Sequence, residues 1–203
     1  MTPPTRRTLD VSGLPEVVFG AKDINWWGTL GFMVIEGTTL AVVSAVYLYL
    51  RQNFAAWPPE HVALPDVVVP TVTTILLLVQ MVPMWLAGKA AHRRDFGATG
   101  RWLLAATLLG LVTLVARGFE FDALNVRWDR NAYGSAAWGV LGFHSTLLLV
   151  DVLETGVMAA LFLVGRAEEK HLSDASDAAF YQYFLSLVYV PLWVLLFLSP
   201  RWI

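Results

Sequence analysis

The chain has 203 residues, of which 57% are hydrophobic and 15% charged, where a soluble domain carries about 25% charged residues. Mean hydropathy is positive and the apolar runs are continuous rather than alternating, which indicates an integral membrane protein of helices and argues against a barrel. With no cysteine and a net charge of −2, disulfides, thiolate metal sites and cysteine nucleophiles are excluded, and nothing suggests a nucleic-acid footprint.

Residues 1–23 are polar and turn-rich (Pro3, Pro4, Gly13, Pro15, Gly20), with no apolar stretch that would read as a cleavable signal. They predict a tail on or near the membrane surface. Residues 24–203 then read as one five-helix transmembrane domain, with spans over about 24–50, 67–91, 101–121, 136–164 and 179–197.

The first span opens on Trp26-Trp27-Gly28, an interfacial pair, holds Glu36 near its middle and closes at Arg51. Trp57-Pro58-Pro59 makes a stiff, extended connection. Pro70 lies in the first turn of the second span, where proline is tolerated, and Pro83 lies deeper and predicts a kink. The third span carries Arg117 and Glu120 near its far end, and a polar loop, 122–135, follows it. The fourth span, 136–164, is mostly apolar yet contains His144, Asp151 and Glu154. Residues 165–178 read as a charged loop, and the fifth span contains Pro191.

Lys and Arg divide unevenly between the two sides. Arg6, Arg7, Lys22, Lys89, Arg93, Arg94, Arg101, Arg166 and Lys170 fall on one side, against Arg51, Arg127, Arg130 and Arg201 on the other. The excess predicts a cytoplasmic N-terminus and a C-terminus outside.

An ionisable group at membrane depth costs about 2.5–3.5 kcal/mol on insertion scales and normally faces protein or water. Glu36 is read either as a proton-relay carboxylate or as a hydrogen-bonded glutamate tying two helices together. His144 is a lone histidine with no second one in any span, so a carbonyl or carboxylate partner is expected rather than heme or metal. Spacings of seven (144 to 151) and three (151 to 154) put His144, Asp151 and Glu154 on one helix face. The two acids are compatible with a proton path or cation site, with an approach to Arg117, or with pairing to a partner subunit, the preferred reading. Arg117 and Glu120, three apart, are expected to pair along their own helix. No nucleophile–base set, phosphate-cradling loop or metal-ligand cluster is visible, which points to a partner-dependent subunit or a transporter rather than a self-contained enzyme.

Several stretches together resemble a known family. Gly31-Phe32-Met33-Val34-Ile35-Glu36, the Trp57-Pro58-Pro59 loop, Pro70-Thr71-Val72-Thr73-Thr74, Gly118-Phe119-Glu120-Phe121, and Tyr133-Gly134-Ser135 followed by Gly142-Phe143-His144 occur in an order and spacing similar to subunit III of the heme-copper oxidases, in its short five-helix form. The resemblance runs from Trp27 onward. Two departures stand out. Leu147 occupies the position of the family's second histidine, and Tyr181-Gln182-Tyr183-Phe184-Leu185-Ser186 replaces a run that usually carries a His and an Asp. Asp151 and Glu154 are not part of the usual pattern.

The resemblance implies a non-catalytic accessory subunit of a respiratory terminal oxidase in a bacterial inner membrane. It would pack on the catalytic subunit I, with subunit II nearby, and would hold phospholipid and sustain proton uptake. Heme and copper would sit in the partners and none in this chain. Glu36 would match the family's buried, carbodiimide-reactive glutamate, structural or tuning proton entry rather than a mandatory relay. Apart from the resemblance, Glu36, Glu120, His144, Asp151, Glu154 and Arg117 are expected to serve a buried polar network or proton-entry tuning. The alternatives are the subunit-III-like protein of nitric oxide reductases and a free-standing proton or ion transporter built on Glu36, Asp151 and Glu154.

Overall fold

The structure is a computed structural model that describes residues 13, 15 and 17–202. Most of the expected N-terminal tail lies outside the described residues. Among those described there is no strand, and five helices are each long and apolar enough to cross a membrane. They are α1 (Ile24–Gln52), α2 (Val68–His92), α3 (Phe96–Asp122), α4 (Ala132–Leu163) and α5 (Lys170–Trp193). Past Pro191, α5 continues into a π-helical turn (Val194–Leu198) and a short 3-10 turn (Ser199–Arg201).

Side chains cap three of the five helix starts. Asp23, Asp95 and Asn131 each accept a hydrogen bond from a backbone N–H in the first turn of α1, α3 and α4, at 3.0, 2.8 and 2.8 Å. These caps explain why α3 and α4 begin about a turn earlier than hydropathy suggests. α4 ends at Gly165, whose φ of +69° lets the N–H of Arg166 reach back to the carbonyl of Leu161 at 3.0 Å.

The largest difference from expectation is at α5. Residues 170–178, read as loop from their charges, are its first turns. Leu172, Ala175, Ala178 and Ala179 recur at helical spacing and are buried against α2 and α4, so tertiary packing carries the helix through a charged stretch.

Helices α2, α3, α4 and α5 pack in a closed ring, each touching the next, and α1 lies outside it against the seam of α4 and α5. One end of the ring is built of small residues. Ala87, Ala91, Ala106, Ala159 and Ala175 surround Met84, Met158 and Phe162. The other end is leucine-rich and aromatic, with Tyr47, Trp57 and Tyr133 in mutual contact at centroid distances of 5.3, 5.1 and 6.2 Å. Close approach of α3 and α4 depends on glycine. A Cβ at Gly110 would come within 2.6 Å of Val152 and 2.9 Å of Gln80, and one at Gly100 within 2.9 Å of Phe162. In lipid, such close packing substitutes for the hydrophobic drive that holds soluble helices together.

Candidate functional site

Two groups of polar side chains lie inside this apolar frame, and α5 lines both. The first is enclosed by the four-helix ring. Arg117 and Glu120 lie on one face of α3 and pair at 2.9 Å, with exposures of 2% and 0%. Arg117 also reaches α4 and α5. Its Nη2 lies 3.4 Å from His144 Nδ1, and its guanidinium carbon sits 4.1 Å from the ring centroid of Tyr189. A guanidinium only donates, so His144 Nδ1 accepts. The ring proton is then on Nε2, which donates to the carbonyl of Leu185 at 3.0 Å. Thr73 on α2 borders Glu120. One cation and one anion are thus buried together with partners from all four helices of the ring. An uncompensated ion in that place would cost several kcal/mol.

A second buried layer lies further along the ring. Gln182 Nε2 donates to Ser186 Oγ at 3.0 Å, and that hydroxyl donates to the carbonyl of Leu77 at 3.0 Å. Gln80, 1% exposed, faces Gly110.

The other group lies outside the ring, in the groove between α1, α4 and α5. Tyr181 Oη donates to Glu36 Oε2 at 2.7 Å and links α5 to α1. Asp151, 2% exposed, stands beside Glu36 and Glu154. Glu154 is at the exposed rim and is joined there by Asp174, Asp177 and Asn25, around a cavity of about 560 Å³.

The six residues singled out from the sequence therefore divide into two sets. Arg117, Glu120 and His144 come together in the ring. Asp151, Glu36 and Glu154 come together at the groove. His144 and Asp151 share a helix face yet meet different neighbours, Leu185 and Tyr189 for the first and Glu36 for the second. Arg117 faces Glu120 and His144 rather than Asp151. Glu36 accepts the Tyr181 hydrogen bond, a contact compatible with either reading of this residue.

Sequence reasoning missed Tyr181 and Tyr189 as partners of Glu36 and Arg117, and the Gln80–Gln182–Ser186 layer. One signal was available. Gln182, Ser186 and Tyr189 follow one another at spacings of four and three, which marks a polar stripe through an apolar helix, whereas Tyr181 lies off that stripe. Among the described residues no group of three or more His, Asp or Glu side chains is placed to hold a metal ion.

A ring of apolar helices with its charges paired inside, and a flanking first helix, defines a multi-pass membrane protein. No family model matches the chain. It is 24% identical over 185 residues to cytochrome c oxidase subunit 3 of Synechocystis sp., covering 88% of this chain and 77% of that protein. It is 24% identical over 180 residues to the same subunit of Thermostichus vulcanus, covering 88% and 89%. For the subunit of Corynebacterium diphtheriae the identity is 25% over 178 residues, covering 84% and 85%. Over most of its length the chain is thus similar to proteins named cytochrome c oxidase subunit 3, the subunit III of heme-copper oxidases.

Proposed function

We propose that the chain is the non-catalytic subunit III of a bacterial respiratory terminal oxidase, multi-pass in the inner membrane with its N-terminus cytoplasmic. It packs against the catalytic subunit I, near subunit II, stabilises turnover and holds phospholipid. Heme and copper reside in those partners. Residues 24–203 act as one transmembrane domain. The observation that carries this reading is similarity along most of the chain's length to proteins named cytochrome c oxidase subunit 3. The burial of Arg117, Glu120 and His144 among their own partners supports a structural rather than a chemical role for them. The oxidase names of these relatives favour an oxidase over a nitric oxide reductase.

The test is extraction of the tagged full chain from its native membranes in mild detergent, with a reduced-minus-oxidised spectrum and peptide mass spectrometry on the eluate. Heme bands with a large polytopic subunit and a copper-domain subunit are expected. A c-type cytochrome in place of the copper subunit would redirect the reading to nitric oxide reductase. A colourless chain, alone and stable, would overturn it in favour of a transporter.

A further inference from the structure

The charged side chains lining the groove are all acidic, and the cations near it, Lys170 and His171, act on Asp174 at its rim rather than on the acids further in. The charged neighbours of Asp151 are Glu154 and Glu36, that of Glu154 is Asp174, and those of Asp177 are Asp23 and Asp174. Among the described residues no lysine or arginine is recorded against Glu36, Asp151, Glu154 or Asp177. Two of these acids also keep an oxygen without a hydrogen-bond partner among the described residues. Asp151 Oδ2 and Asp177 Oδ2 are unpartnered, on residues 2% and 6% exposed. The ring handles its own charges differently, since Glu120 has Arg117.

The acids are spread along the groove rather than gathered around a point, and among the described residues they form no metal-holding group. That favours a cation carried on a longer body. Depth selects which body. Glu36 lies twelve residues past Ile24 (36 − 24), which at 1.5 Å per residue is about 18 Å along α1. This is near the middle of a hydrocarbon core about 30 Å thick. The ammonium of a lipid headgroup stays at the surface, whereas a helix crossing the membrane carries a side chain at any depth. Asn25, Asp174 and Asp177 lie at one end of the rim, and at the level of Glu36 it carries exposed apolar side chains, Phe32 at 65% and Val150 at 55%. A helix can pack there while extending one basic side chain inward.

We infer that the α1–α4–α5 groove receives an arginine or lysine from a transmembrane helix of a partner subunit, held directly by Glu36 and Glu154 with Asp151 behind them. The inference rests on the accessory-subunit reading and names the chemistry by which the partner is gripped.

The experiment uses the complex in its native membranes, with a photo-crosslinking amino acid placed at Phe32 or Val150, and at Val115 on α3 as a control. The expected adduct joins a groove position to an apolar segment of another polypeptide, within about one helical turn, roughly four residues, of a Lys or Arg. Glu154→Gln, at the exposed rim, and Glu36→Gln with Glu154→Gln should each lower that adduct's yield, the pair by about tenfold. The Val115 background should stay unchanged, and the variants should elute as one symmetrical peak. Adducts to lipid alone, to a segment without a basic residue, or to nothing would overturn the inference, as would an undiminished yield in both variants. Heme in the unmodified eluate is scored separately. Its absence ends the accessory-subunit reading, and the adduct still decides whether a basic helix occupies the groove.

Discussion

Replacing Arg117 by methionine tests how the ring tolerates its buried charge. The side chain is 2% exposed, pairs with Glu120 at 2.9 Å, approaches His144 at 3.4 Å and covers the Tyr189 ring at 4.1 Å. Methionine keeps much of the apolar stem but leaves Glu120, 0% exposed, without its cation. Breaking a buried pair from one side costs about 3–5 kcal/mol, because the remaining charge stays desolvated. For a chain of this size each kcal/mol moves the midpoint of unfolding by about 2–4 °C, so Arg117→Met should lower it by about 6–20 °C. Removing both charges should be milder. Arg117→Met with Glu120→Leu abolishes the orphaned carboxylate and should recover at least half of the loss. The assay is tryptophan-fluorescence melting of the purified protein in one detergent, with elution profiles to confirm folding. A single variant within about 2 °C of the parent, or a double variant less stable than the single, would refute the claim that the pair is held by mutual compensation.

Three further outcomes follow from contacts described above. Gly110→Ala should destabilise by about 1–3 kcal/mol, because its Cβ meets Val152 at 2.6 Å and Gln80 at 2.9 Å, whereas Gly139→Ala meets nothing and should be neutral or stabilising in the same melting assay. Asn131→Ala removes the side-chain bond to Gly134 N–H and should cost about 0.5–2 kcal/mol, with faster amide exchange in the first turn of α4. Tyr181→Phe should cost about 0.6–1.7 kcal/mol, and combining it with Glu36→Gln should be clearly less than additive, since both changes cut one bond.

The number and order of the helices were legible because apolar runs of about 20 residues leave few readings in so hydrophobic a chain. Their ends were less so. Asp95 and Asn131 cap helices through polar residues that hydropathy counts as loop, and the first turns of α5 are hidden by Lys170, Asp174 and Asp177. The same mixture applies to the polar groups. Arg117 and Glu120 are three residues apart on one helix, so their pairing could be read from spacing. The bond from Tyr181 to Glu36 spans 145 residues of chain, and nothing local announces it. His144 and Asp151 share a face but not a neighbourhood, because α5 presents a carbonyl and Tyr189 at one level while α1 presents Glu36 at the other. Periodicity identifies a face, and only the packing of other helices decides what that face meets.

The position of α1 outside the ring bears on how the protein is made. Ribosomes release α1 first, yet its docking seam consists of α4 and α5, the last two helices to appear. At about 5–20 residues per second, the 145 residues between Glu36 and Tyr181 represent roughly 7–30 s of synthesis. Until α4 is inserted α1 has neither half of its docking seam, and until α5 follows Glu36 lacks its Tyr181 partner. The hairpin of α2 and α3 can close as soon as both are inserted. The order of assembly is therefore not the order of translation, and the first helix to enter the membrane is among the last to find its place.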